Sequence, residues 1–344
     1  MINTKNIVKT ALYLTVGSVF VFSFLGCSEA PIEPEVEAYF TSPSHFPARL
    51  YDNPANELSA EKVALGKALF FDPILSVDST ISCGSCHQIE YAMSDRNRKF
   101  SIGVDGQLGT RNSPALFNLA WQEDFMWDGG VNHLEFVPLA PIENHIEMNL
   151  DFVEAMDRLN NSKYYRTEFK RIFDVDHISD REFLYAMAQF MAVMVSAESK
   201  YDDMVLGKSK FSMDEQKGYE LFKTNCAECH AEPLFTSTTF KNNGLDSTIT
   251  DEGRKRTTTY EEDLGKFKVP SLRNLAYTAP YMHDGKLKTL EEVLDHYSDG
   301  IQSNSQSPPD IENLNLSELE KQQIISFLHT LNDEKFVTNE LFVP

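Results

Sequence analysis

The chain has 344 residues, 42% of them hydrophobic and 24% charged, with 52 acidic against 31 basic side chains and a net charge of −21. That length accommodates two domains with real cores, and the composition excludes wholesale disorder. The charge argues against a nucleic-acid ligand and against docking on anionic lipid heads. It favours a basic protein partner whose association weakens with salt.

Lys5 and Lys9 precede an apolar run, 11–26, that is short for a membrane span. Residues 1–26 therefore read as a secretory signal peptide. The run closes on Gly26-Cys27, the form of a lipoprotein cleavage site, although Phe24 stands where leucine is commoner. Cys27 is expected to carry lipid and to anchor the protein in the periplasm or cell envelope. From 27 to 56 the chain holds Pro31, Pro34, Pro43, Pro47 and Pro54 among small and acidic residues. That composition predicts an extended tether.

Beyond it the signals are helical. Capping boxes are predicted at Ser179 to Glu182, from Ser212, at Thr289 and from Ser317, several leading into apolar residues at helical spacing. No run of alternating strand residues appears, so the fold class is all-α. Residues 114–137 and 270–293 align without a gap at an offset of 156, with 11 of 24 positions identical. The helices predicted from Ser59 and from Ser212 also match, and each precedes a cysteine pair. The chain reads as two copies of one helical unit, 57–204 and 205–344.

Each copy carries C-x-x-C-H, at Cys83, Cys86 and His87 and again at Cys226, Cys229 and His230. Structural zinc sites pair such knuckles across roughly 15–20 residues, whereas these lie in separate repeats. A redox C-x-x-C needs no adjoining histidine. Haem c uses every residue: two thiols form thioethers and the histidine ligates iron. Two tandem cytochrome c-like domains, each with one covalent haem c, are expected.

The stretches "SIGVDGQLGTRNSPALFNLAW", "FMWDGG", "APIENHIEM", "GKFKVPSLRNLAYTAPYMHDG" and "TLEEVLDHY", with both cysteine motifs, resemble the bacterial dihaem cytochrome c peroxidases and MauG proteins from Leu58 to Leu331. The resemblance implies reduction of hydrogen peroxide to water with electrons from a small donor protein such as a cytochrome c. It implies that the first haem is peroxidatic and the second transfers electrons. It assigns Trp127 as the electron relay between haems, Trp121 being left to core packing, and Glu147 as the acid–base residue acting on peroxide. It also assigns calcium ligation to the Asn112 side chain and to the backbone carbonyls of Thr278 and Pro280, and allows a homodimer.

Two departures bear on mechanism. The loop from Ser101 to Asn112 contains no histidine, and Val104 stands where peroxidases of this type carry the histidine that blocks the first iron. The first haem is therefore expected to be five-coordinate at rest. At the distal position of the second haem the matching residue is Tyr297, with Met282 the competing ligand. Val137 occupies a place where a distal glutamine is common. The rival readings are a MauG-like oxidase that modifies a partner protein and a dihaem electron carrier without catalysis.

Overall fold

The computed structural model describes residues 42–344. The expected signal peptide, the Cys27 lipid anchor and the first part of the tether lie outside the described residues. In the first half, α1 (Ala60–Phe71) leads to a single turn, α2 (Cys83–Cys86), then to α3 (Leu139–Glu143), α4 (Phe152–Asn161), α5 (Lys163–Phe173) and α6 (Asp180–Ala192). A short α7 (Lys200–Val205) leads into α8 (Met213–Asn225), α9 (Lys255–Thr258), α10 (Leu290–Asp295), α11 (Glu318–His329) and α12 (Glu334–Val337). The sheet among the described residues is one antiparallel pair, β1 (Phe240–Lys241) and β2 (Phe267–Lys268), so the fold is all-α in its mass.

Reciprocal capping boxes form at Ser179–Glu182, Ser212–Glu215 and Ser317–Glu320. At Thr289 only half of the box forms. The Thr289 hydroxyl accepts from Glu292 N, while the Glu292 carboxylate turns to Lys288 N.

The two halves are built alike. In each, a first helix crosses a last helix at a glycine. A Cβ on Gly66 would lie 2.0 Å from Ala186 O, and one on Gly218 would lie 1.8 Å from Gln323 O. Phe190 and Phe327 flank the two crossings on α6 and α11. Two apolar cores result, one including Phe70, Phe183 and Phe190, the other Phe222, Phe235 and Phe327.

The sequence repeat is also a conformational one. Asn118 and Asn274, Met126 and Met282, and Gly129 and Gly285 all have positive φ, and Phe125–Val131 and Tyr281–Leu287 form matching bridges. Left-handed backbone is uncommon for asparagine and rarer for methionine. Its recurrence at a fixed offset marks a duplicated fold.

The repeats join through a buried polar set. Ser196 N donates to Asn118 Oδ1 and Asp333 N to Asn274 Oδ1, at 2.9 and 2.8 Å. Asn274 Nδ2 reaches Ser196 Oγ at 2.9 Å, and Ser196 Oγ donates to Asp333 Oδ2 at 3.1 Å.

Proline content predicts a tether as far as Asn56, but from Pro43 onward the chain is docked. Trp121 Nε1 donates to Pro47 O at 2.9 Å, and Leu50 N and Tyr51 N both donate to Ala120 O. Phe46 packs edge-on against Trp121, and His45 Nε2 lies 2.7 Å from Asp202 Oδ1. Trp121 is thus a buried packing residue, as expected.

The crossings give a test. Gly218→Ala places a methyl group on a helix carbonyl that cannot retreat, and is expected to cost about 3 kcal/mol, at the upper end of overpacking penalties. Thermal unfolding should show a lower midpoint, whereas the same change at exposed Gly207, whose Cβ position is open, should cost less despite its positive φ.

Candidate functional site

The local fold arranges the cysteine motifs. Ser82 caps α2, the i, i+3 spacing puts Cys83 and Cys86 on one face, and His87 N bonds Cys83 O at 3.0 Å. At the end of α8, Cys229 N and His230 N both bond Cys226 O, at 3.2 and 2.9 Å. None of these four cysteines is joined in a disulfide. Burial pushes the Cys83 and Cys226 thiols up to about 12 and that of Cys86 up to about 11.

Both histidines present the same nitrogen. His87 Nδ1 is 2.8 Å from Met93 O, and His230 Nδ1 is 3.2 Å from Phe235 O and 3.1 Å from Pro270 O. A carbonyl only accepts, so Nδ1 carries the proton and Nε2 keeps its lone pair. Burial lowers both imidazoles, that of His230 to about 4, and holds them neutral. A neutral imidazole with its far nitrogen anchored is the form that ligates iron.

Both motifs open on one cavity of about 880 Å³, whose wall also includes Glu147, Trp127, Tyr297 and Met282. Among the described residues no three His, Cys, Asp or Glu side chains converge to hold a metal ion. Two thiols and one oriented imidazole at each end of an apolar-walled cavity fit a covalent haem c at each motif.

On the first side, Glu147 faces the cavity within electrostatic reach of Cys83 and Cys86. Burial raises its carboxyl, and Asn144 Nδ2, donating to Oε1 at 2.6 Å, partly offsets the rise. A Cβ on Gly103 would strike the Ile146 and Glu147 carbonyls, at 2.2 and 2.5 Å, and Val104 N bonds Glu147 O. The loop thus clamps the Glu147 backbone. Val104 itself is 1% exposed and packs inward, whereas Ser101 and Gly103 face the cavity. The histidines in the wall are His87, His230 and His283. Val137 completes this side as an apolar wall residue.

Trp127 stands where the halves meet. Its Nε1 donates to Asn112 O at 2.8 Å, its carbonyl accepts from Lys268 N, and Asn112 N donates to His283 O at 2.7 Å. Asn112 Nδ2 points at the Arg98 and Lys99 carbonyls, and Thr278 and Pro280 lie in the same wall as Asn112. His283 stacks on Phe267 with ring centres 3.7 Å apart. Arg111 locks the seam with 2.6 Å bonds to Asp128 and Asp251.

On the second side, Tyr297 sits on a π turn, His296–Gly300, that continues α10. It lies close enough to Cys226 and Cys229 for the thiols to act on its hydroxyl, which burial raises. Tyr297 Oη and Met282 Sδ are each 3.3 Å from Asn243 Nδ2, so both candidate ligands meet at one amide. Asn144, Asn243 and Arg111 are the residues that sequence reasoning missed. Asn144 alone carried a signal, three positions before Glu147 in the same motif.

Sequence comparison agrees with this geometry. The family profile described as di-haem cytochrome c peroxidase matches residues 60–210, and the cytochrome c profile matches 215–332. The chain is 35% identical over 299 residues to the methylamine utilization protein MauG of Methylophilus methylotrophus, covering 85% of this chain and 88% of that one. It is 32% identical to the cytochrome c551 peroxidase of Nitrosomonas europaea, over 96% of this chain and 92% of that one. The chain belongs to the dihaem cytochrome c peroxidase and MauG family. Among solved structures, a MauG-like protein associated with microbial copper homeostasis superposes with a TM-score of 0.80 at 31% identity, covering 88% of this chain and 97% of that one. The diheme peroxidase BthA of Burkholderia thailandensis, at 19% identity and a TM-score of 0.71, over 83% of this chain and 90% of that one, shares the fold. Family membership makes the chain an oxidoreductase with two cytochrome c-related domains that carry haem c.

Each motif should hold its own cofactor. The purified protein is expected to contain two covalent haems, and Cys86→Ala or Cys229→Ala should each weaken attachment at one site only. Pyridine haemochrome spectra and intact mass check this. Loss of both haems from either single variant would contradict two independent sites.

Proposed function

We propose that this protein reduces hydrogen peroxide to water with electrons from a small, basic donor protein such as a cytochrome c. The observation that carries the reading is Glu147, a carboxyl raised by burial and aimed into the same cavity as Cys83, Cys86 and His87. When bound, haem c supplies the redox-active iron that exchanges electrons with peroxide and donor. Glu147 takes the proton from the nearer peroxide oxygen and delivers it to the departing one, so that two electrons and two further protons yield two waters. Asn144 fixes the carboxyl, and the clamp at Gly103 and Val104 fixes its backbone. His87, anchored at Met93 O, holds the proximal side. With Val104 turned inward and no histidine between Ser101 and Asn112, no imidazole from this loop competes with peroxide.

Electrons enter at the second site and pass Trp127, whose bond to Asn112 O keeps the indole at the seam. Tyr297 would ligate the second haem, with Met282 meeting it at the Asn243 amide. The Asn112 oxygen with the Thr278 and Pro280 carbonyls would hold calcium. Oxygen-only donors suit that ion, and the amide nitrogen is already directed at Arg98 O and Lys99 O. The protein acts in the periplasm, carried there by residues 1–26 and tethered at Cys27, and a homodimer is compatible with the family. No helix among the described residues is long and apolar enough to cross a membrane.

A MauG-like oxidase acting on a partner protein is the second reading, favoured by Tyr297 and by the missing loop histidine. Turnover of peroxide with reduced cytochrome c, set against oxidation of a co-expressed partner, separates the two.

Glu147→Gln should lower kcat/KM for peroxide by about 10² to 10⁴-fold, the usual worth of general acid–base assistance, with both haems retained. The carboxyl must be ionised to accept a proton, and burial raises it above the ordinary carboxylate range, so activity should fall on acidification with a midpoint higher than that of an exposed glutamate. Asn144→Ala should move that midpoint to still higher pH. For the second site, Tyr297→Phe should change the spectrum of that haem, whereas Met282→Leu should leave it intact.

A further inference from the structure

This inference rests on the reading of two covalent haems in the cavity. β2 brings Lys268 into the cavity wall at the seam of the halves, where its N donates to Trp127 O at 2.8 Å and its strand partner is Phe240. Other cations in that wall have partners or face elsewhere. Arg111 is held by Asp128 and Asp251, and Arg273 by Asp202 at 2.7 and 2.9 Å. Arg256 is exposed, and Lys241, which pairs with Phe267, lines the cavity at the second motif near Cys229. Lys268 Nζ makes no hydrogen bond or ion pair with any described residue. Asp124, the carboxylate that acts on it from a distance, lies 3.9 Å from Arg254. Burial pushes the ammonium down to about 8, against the pull of Asp124.

Lys268 is half-buried, and an ammonium that lines a cavity with no anion beside it is a ready partner for an anionic group. Here the described residues supply none, yet the side chain lines the space that the cofactors would fill. Haem brings two propionate carboxylates, the anionic groups that this cofactor offers. We propose that Lys268 binds a haem propionate beside Trp127 and thereby raises the reduction potential of that haem. A fixed positive charge near the macrocycle favours the state carrying one electron more. The same contact fixes the edge of the macrocycle against the residue through which electrons pass.

The test uses the full-length holoprotein with Lys268→Gln and Lys268→Arg, haem counting and a spectroelectrochemical titration of each haem. Lys268→Gln should keep two haems and shift one midpoint potential negative, leaving the other nearly unmoved, and Lys268→Arg should restore it. If Lys268→Gln instead loses one haem, retention of both by Lys268→Arg supports the charge contact. Loss in both variants overturns it in favour of packing by the aliphatic stem. Two haems with neither potential shifted, or with both shifted equally, also overturns it. A wild-type protein without covalent haem defeats the underlying reading and not this contact.

Discussion

The structure depends on the buried hydrogen bonds around Ser196, because they hold two repeats in one orientation. Asn118 belongs to the first repeat and Asn274 occupies the equivalent place in the second, and both reach Ser196. Asp333 closes the set. Every member is buried, so each lost bond would leave a polar group without water. A hydrophobic contact would tolerate sliding between the repeats. This network, with directional partners on both sides, does not. The two cysteine motifs open on a common cavity, and Trp127, Asn112 and His283 occupy the place where the halves meet.

That fixed relation explains how one fold supports two environments. The second proximal imidazole has two carbonyl partners and the first has one. The first side carries a raised carboxyl, a clamped loop and an inward-packed Val104. The second carries a phenol and a thioether sharing one amide. Duplication supplies the scaffold, and divergence at a handful of wall positions makes the two sites chemically different. The repeat even swaps Trp127 for His283 at matching positions, so that one side of the seam offers an indole and the other an imidazole stacked on Phe267.

Much of this was legible from residues alone because the information is local. A C-x-x-C-H motif is one helical turn, a capping box spans four residues, and the duplication shows as an ungapped offset. Contacts made over distance were not legible. Arg111 and Asp251 are 140 residues apart, and nothing near either marks the pair. The segment from Pro43 looked like free tether because composition reports stiffness and polarity. It cannot report that Trp121 will find Pro47 O or that His45 will find Asp202. Thr289 was predicted as a full capping box because its spacing is right, but Glu292 had a competing donor one residue upstream in Lys288. Asn243 was missed because an asparagine between candidate ligands is identifiable only when both ligands are in view.

The central claim is that the first iron has no protein ligand opposite His87. Electron paramagnetic resonance of the oxidised, as-isolated protein tests it most directly, since spin state reports the number of axial ligands. One high-spin and one low-spin ferric signal, in equal amounts, is the predicted result. Two low-spin signals, with no high-spin component, would mean that a side chain already occupies the place where peroxide is supposed to bind.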